Sequence, residues 1–135
     1  MVISRSENMR RIRAKDTKPE QTVRQMVCQL GLRGYRLNYP YLPGKPDIVF
    51  NRLCKAIFVN GCFWHGHECA EGIRVPRSNR RYWLAKIEGN LRRDLLNRAA
   101  LKGLGWKELT VWECEIKDRH KLTAKLVKFL DLKLP

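Results

Sequence analysis

Acidic residues are scarce in this 135-residue chain: 13 Asp plus Glu stand against 28 Lys plus Arg, a net charge of +15. No acidic segment offsets that excess, which predicts attraction to a polyanion, and nucleic acid is the commonest soluble one. Long apolar runs are missing too. None approaches the ~18 residues needed to span a bilayer, and Met1 to Lys15 mixes charge with polarity where a secretory segment would be apolar. A cytoplasmic location without membrane contact is expected. Internal repeats, low-complexity runs and long Pro/Gly/Ser linkers are absent, which argues against a multidomain machine. One domain of about this length buries roughly 68% of the surface its unfolded chain exposes, enough for a core. The expected division is a basic arm over residues 1–18 and a single domain over 19–135.

Punctuation and periodicity predict the elements. Thr17-Lys18-Pro19-Glu20 is a capping box with Pro in the first turn. Val23, Met26, Val27 and Leu30 follow at helical spacing until Gly31. Tyr35 to Asn38 reads as a short strand. After Pro43-Gly44-Lys45-Pro46, Asp47 to Phe50 pairs as a hairpin with Cys54 to Val59 across the Asn51-Arg52 turn. From Ser78 to Leu104, Trp83, Ile87, Leu91 and Leu95 fall on one helical stripe. Leu109 to Trp112 form a last strand, and Leu122, Leu126, Phe129 and Leu130 a closing amphipathic helix. The order is αβββαβα, an α/β domain with flanking helices.

Five cysteines, an odd number with no secretory signal, point away from disulfides and toward metal. In Gly61-Cys62-Phe63-Trp64-His65-Gly66-His67-Glu68-Cys69, thiol and imidazole donors recur closely enough for one tetrahedral zinc. Cys62, His67, Cys69 and the distant Cys114 are the candidate ligands, with His65 as the alternative histidine, because spacing alone permits either. Cys28 and Cys54 read as small core residues. Zinc would brace a glycine-rich stretch that has few apolar residues of its own.

For chemistry, Pro46-Asp47 opens one strand of the hairpin, and the neighbouring strand ends at Val59-Asn60 with His65 shortly after. That topology gathers a carboxylate, strand-end carbonyls and an imidazole. Taken singly, Asp47 fits a turn residue and Glu20 a helix cap.

The motifs carry more together than apart. Asn8-Met9-Arg10, Asp16-Thr17 with Glu20, Pro43-Gly44-Lys45-Pro46-Asp47, Gly61-Cys62-Phe63-Trp64-His65, Tyr82-Trp83-Leu84 with Lys86-Ile87 and Asn90, Arg93-Asp94, and Gly105-Trp106 with Val111-Trp112-Glu113-Cys114 resemble the very short patch repair (Vsr) DNA mismatch endonucleases. The resemblance runs in order from residue 8 to 114. It implies a restriction-endonuclease-like αβββαβ core of the PD-(D/E)xK type, with a mixed central sheet. It also implies structural zinc at Cys62, His67, Cys69 and Cys114, leaving His65 for catalysis. Asp47 and the Val59 carbonyl would hold catalytic Mg²⁺, completed by DNA phosphate oxygens. His65 would activate water, since a histidine ring ordinarily titrates near pH 6.5, and Glu20 would orient a water or His65. Phe63, Trp64 and Trp83 are candidate wedges between base pairs. Met9, Arg10, Arg13, Arg80, Arg81 and Arg93 are candidate DNA contacts, the arginines through phosphate or groove.

The activity so implied is a nick in one strand, 5′ to the thymine of a T·G mismatch of the kind left when 5-methylcytosine deaminates. A cytosine-5 DNA methyltransferase and mismatch-repair proteins would be functional partners, with the enzyme acting as a monomer near the bacterial nucleoid. The alternatives are a site-specific or structure-specific nuclease on the same scaffold, or a zinc-stabilised DNA-binding module without catalysis. Two departures stand out. Val59-Asn60 replaces the expected Thr-His before Gly-Cys-Phe-Trp, and Val59-Asn60-Gly61 supplies neither the second acid nor the lysine usual in the wider superfamily.

Overall fold

The computed structural model describes residues 17–63, 65–69 and 75–132. The chain runs through α1 (Lys18–Gln29), β1 (Arg36–Leu37), β2 (Ile48–Phe50), β3 (Lys55–Asn60), α2 (Arg80–Gly103), β4 (Lys107–Trp112), a 3-10 turn (Glu113–Lys117) and α3 (Arg119–Phe129). This is the α/β order expected from periodicity. Among the described residues, no helix is long and apolar enough to cross a membrane.

The sheet is mixed, in the order β1-β2-β3-β4. The β2–β3 hairpin is antiparallel, with Ile48 opposite Ile57 and Phe50 opposite Lys55. The β3–β4 pair is parallel, from Lys55 opposite Lys107 to Asn60 opposite Trp112. Parallel neighbours need a long crossover, and α2 lies within it. One core joins Val23, Met26 and Val27 of α1 to Ile48, Phe50, Ile57 and Val111 of the sheet and to Leu122, Leu126 and Leu130 at the far end of the chain. Burying these side chains is the main stabilising contribution, at about 1.5–3 kcal/mol for each large apolar group. At the bottom of β3, the buried Lys55 amine donates to the Phe129 carbonyl at 2.6 Å and pairs with Asp131 at 2.9 Å, tying the end of α3 to the sheet.

The local chemistry explains the element ends. Thr17 caps α1 by accepting from the Glu20 N–H, with Pro19 in the first turn. Gly44 (φ +80°) and Lys45 (φ +49°) carry the turn into β2. A Cβ on Gly44 would lie 3.0 Å from the Phe58 ring and 3.1 Å from Asn97, so only glycine lets this turn press against α2.

Two expectations are corrected. Cys28 and Cys54 are exposed rather than core, and Cys54 (φ +52°) belongs to the hairpin turn. The apolar stripe of α2 is also not its inward face throughout. Trp83, Ile87 and Leu101 are buried, but Leu91 and Leu95 are exposed, and Asn90 is buried in their place. Residues 83, 87, 90, 94, 97 and 101 share helical spacing. The middle of that face is polar because it lines a polar pocket.

Candidate active site and metal centre

Asp47 stands just ahead of β2, where the β2–β3 hairpin opens. Its Oδ2 accepts from the Val59 N–H at 2.6 Å, and its carboxyl shares a hydrogen bond with Glu20. Glu20, in the first turn of α1, is also held 3.4 Å from the Arg24 guanidinium. Burial is the main reason that Asp47 is pushed up to about 7; Glu20's charge adds to this, while the Val59 N–H and Arg24 work against it. Two carboxyls crowded in a low-dielectric corner repel as anions, and a cation between them would relieve that cost.

His65 follows β3 by five residues. Its Nδ1 lies 2.6 Å from Asp94 Oδ2 on α2, with both side chains partly buried. The Arg93-Asp94 motif by itself assigns Asp94 no role. The signal that would have found it is its position one helical turn beyond Asn90, on the polar inward face of α2. Asp47 and His65 open into one cavity of about 210 Å³, whose wall also includes Val59, Asn60, Asp94, Asn97, Arg98 and Thr110. Asn60 is buried, with 7% exposure.

The second cluster lies beyond the end of β3. The donor atoms of Cys62, His67, Cys69 and Cys114 all fall within 4.8 Å of one another. Cys114 Sγ approaches His67 Nδ1 at 3.5 Å, and the Cys114 N–H donates to Cys62 Sγ at 3.4 Å. Burial pushes the Cys62 thiol up to about 12, with the neighbouring thiols adding to the effect and the Cys114 N–H opposing it. Burial also raises Cys114. Thiols so placed resist ionisation without a cation, so the donor set fits a soft-ligand metal site. His65 is outside this set and faces Asp94 instead. Gly66 makes the loop possible: at φ +60° its backbone lies so near α2 that a Cβ would meet Ile87 at 2.7 Å.

The remaining sequence-derived positions divide. Met9, Arg10, Arg13 and Trp64 lie outside the described residues. Phe63 is partly buried, edge-on to Trp83 at 5.5 Å. Trp83 is only 7% exposed, so in this structure it backs Phe63 from the core and does not present its own ring. Arg80 and Arg81 are exposed in the first turn of α2, and Arg93 is exposed with a hydrogen bond to Asn90.

A mixed sheet that ends in a carboxylate and imidazole pocket, within a strongly basic chain, fits the endonuclease class. Comparison with known sequences narrows that class. The family model described as DNA mismatch endonuclease Vsr matches residues 3–71. The chain is 46% identical to the type II nicking enzyme V.XorIIP of Xanthomonas oryzae, over 91% of this chain and 89% of the relative. It is 41% identical to the DNA mismatch endonuclease Vsr of Escherichia coli, over 89% of this chain and 76% of the relative. The chain belongs to the DNA mismatch endonuclease Vsr family.

Proposed function

We propose that this endonuclease nicks one strand of duplex DNA on the 5′ side of the thymine in a T·G mismatch, using Mg²⁺ at Asp47 and structural zinc at Cys62, His67, Cys69 and Cys114. The observation that carries the reading is the Asp47 carboxyl, crowded by Glu20 and opening into the same cavity as the Asp94-held His65.

Asp47 supplies the carboxylate for Mg²⁺. In an extended strand the N–H and C=O of one residue leave on the same side. Val59 donates its N–H to Asp47, so its carbonyl faces the same edge and is the natural second ligand. Bound there, Mg²⁺ supplies polarisation of the scissile phosphoryl and charge for the leaving oxygen. His65 provides the base. With Nδ1–H donating to Asp94, its Nε2 carries the lone pair and takes the proton of the attacking water, while Asp94 stabilises the resulting imidazolium. Glu20 fixes Asp47 and orients the water.

Phe63, mounted edge-on against Trp83, is the base-pair wedge offered by the described residues, with Trp64 as its neighbour in sequence. A wobble pair stacks less well than a Watson–Crick pair, so the few kcal/mol of unstacking per step are smaller at the mismatch. Arg80, Arg81 and Arg93, together with Met9, Arg10 and Arg13 of the arm, engage the duplex around it. A mismatch of this kind arises where a cytosine-5 methyltransferase has acted, so such an enzyme is the expected functional partner.

Duplexes that differ only in T·G against T·A, incubated with Mg²⁺ or EDTA, test the reading. It requires a single nick in the T·G duplex with Mg²⁺ alone. Equal cutting of both duplexes would favour the site-specific alternative, and tight binding without any cutting the inactive module.

A further inference from the structure

The wider nuclease pattern places a lysine on the strand after the metal-binding aspartate, and Val59-Asn60-Gly61 has none. Two carboxyls, Asp47 and Asp94, line the pocket and Glu20 bonds to the first, so a phosphodiester entering it needs positive charge from elsewhere. We propose that Lys45 and Arg98 form the phosphate-holding subsite of this pocket, taking over the work of the missing strand lysine. The proposal rests on the nuclease reading above and names the groups that receive its substrate.

Both residues line the same cavity as Asp47 and His65. Arg98 is four residues beyond Asp94, so the two project from one face of α2 about 6 Å apart along its axis. Its guanidinium is already oriented. One Nη2 donates to Thr110 Oγ1 at 2.9 Å, and Nε lies 3.8 Å from a Glu108 carboxylate oxygen. Thr110 donates in turn to that same oxygen at 3.3 Å. A guanidinium has five N–H donors, so this anchoring leaves a donor edge for an anion. A preoriented arginine fork matches two phosphate oxygens better than a mobile cation does.

Lys45 arrives from the opposite direction. It adopts φ +49°, an uncommon conformation for a residue with a side chain, and its N–H closes the turn on the Leu42 carbonyl at 3.1 Å. The turn is pressed onto α2 through Gly44, at Asn97, one residue before Arg98. The contact that demands glycine at position 44 therefore brings the Lys45 backbone beside the helical turn that carries Arg98. Backbone strain next to an active pocket is justified when it aims a particular side chain, and Lys45 is exposed and able to reach a ligand.

The test measures binding of the full chain to a short T·G duplex without Mg²⁺ across a NaCl series, and single-turnover nicking of the same duplex with Mg²⁺. Lys45→Met and Arg98→Met should each lower the slope of log K against log salt by about 0.9, the value of one lost phosphate contact. Each should slow nicking by ~10²–10³-fold, the usual loss on removing one transition-state donor. Arg98→Lys should keep the wild-type slope and recover part of the rate. Arg33→Met, an exposed site outside the pocket, should nick at the wild-type rate. If Arg98→Met fails to fold for want of its Thr110 bond, the exposed Lys45 still decides. A wild-type slope in the methionine variants, with or without a slower nick, overturns the subsite. A wild-type chain that binds but never nicks the T·G duplex defeats the functional reading instead, while the slopes without Mg²⁺ still report on Lys45 and Arg98.

Discussion

The indole of Trp112 lies flat against the His67 ring, 4.1 Å between centroids and 14° from parallel, and meets the His65 ring edge-on at 6.3 Å. One side chain at the end of β4 thus touches both the Cys/His cluster and the pocket imidazole. The Trp112 backbone N–H donates to Glu115 Oε1 at 2.9 Å, which fixes the stretch of main chain that carries the ring.

The stack predicts a link between metal content and nicking. Cys114→Ser should lower zinc stoichiometry and melting temperature together, since a structural zinc can contribute on the order of 10 kcal/mol. Trp112→Leu should keep its zinc and yet nick ~10-fold or more slowly, because His65 loses its edge contact and a small misplacement is costly. Metal analysis beside single-turnover rates separates the two. Unchanged zinc in Cys114→Ser would remove it from the ligand set.

A second prediction concerns pH. A free aspartate ionises near 3.9, whereas burial holds Asp47 up to about 7. Between those values the folded chain keeps a proton that the unfolded chain has released, so stability is greatest below the lower value and falls as pH rises through the window. Each pKa unit corresponds to about 1.4 kcal/mol, which makes a loss of up to a few kcal/mol by pH 8. Without added Mg²⁺ and without chelator, the wild type should melt lower at pH 8 than at pH 5. Asp47→Asn should flatten that slope and be the more stable protein at pH 8. Millimolar Mg²⁺ should raise the melting temperature of the wild type there and not of the variant.

Asp94 is tested through His65. Asp94→Asn leaves a side chain of the same shape that no longer fixes the Nδ1–H tautomer or balances an imidazolium. A fall of ~10²–10⁴ in the nicking rate is expected, with DNA affinity and melting temperature near wild type. A rate within threefold of wild type would show that His65 needs no partner.

Gly66→Ala puts a methyl group 2.7 Å from Ile87 Cγ2 at a backbone φ of +60°. Overpacking and strain together should cost about 1–3 kcal/mol, visible in a denaturant melt. Zinc should also leave more readily on chelation, because the loop bearing His65 and His67 must move off α2.

Much of this architecture was legible in residue order. The Thr17 cap, Pro19 and Gly31 bounded α1, and the Pro43-to-Pro46 turn and Asn51-Arg52 bounded β2. Local chemistry decides both, and the structure agrees. The Cys/His cluster was legible as a cluster, but the choice between His65 and His67 was not, because it depends on where α2 brings Asp94. The inward face of α2 was misread for a related reason. Hydrophobic periodicity assumes that an apolar stripe faces the core, and Leu91 and Leu95 extend that stripe in sequence. Asn90, Asp94 and Asn97 face inward instead, since that part of the helix covers a charged pocket. A polar interruption in an otherwise buried helix face was the signal for the site. The pairing of Lys45 with Arg98 is not legible in residue order, because more than fifty positions separate two side chains that only the fold brings to one cavity.

The central claim is that Asp47 holds a divalent cation within reach of His65. Anomalous diffraction from crystals soaked in Mn²⁺ addresses it directly. A peak at about 2.0–2.3 Å from an Asp47 carboxylate oxygen, on the Val59 side of the pocket and lost in Asp47→Ala, is the expected result. A pocket that stays empty at saturating Mn²⁺, or a peak that survives removal of the Asp47 carboxylate, would contradict it.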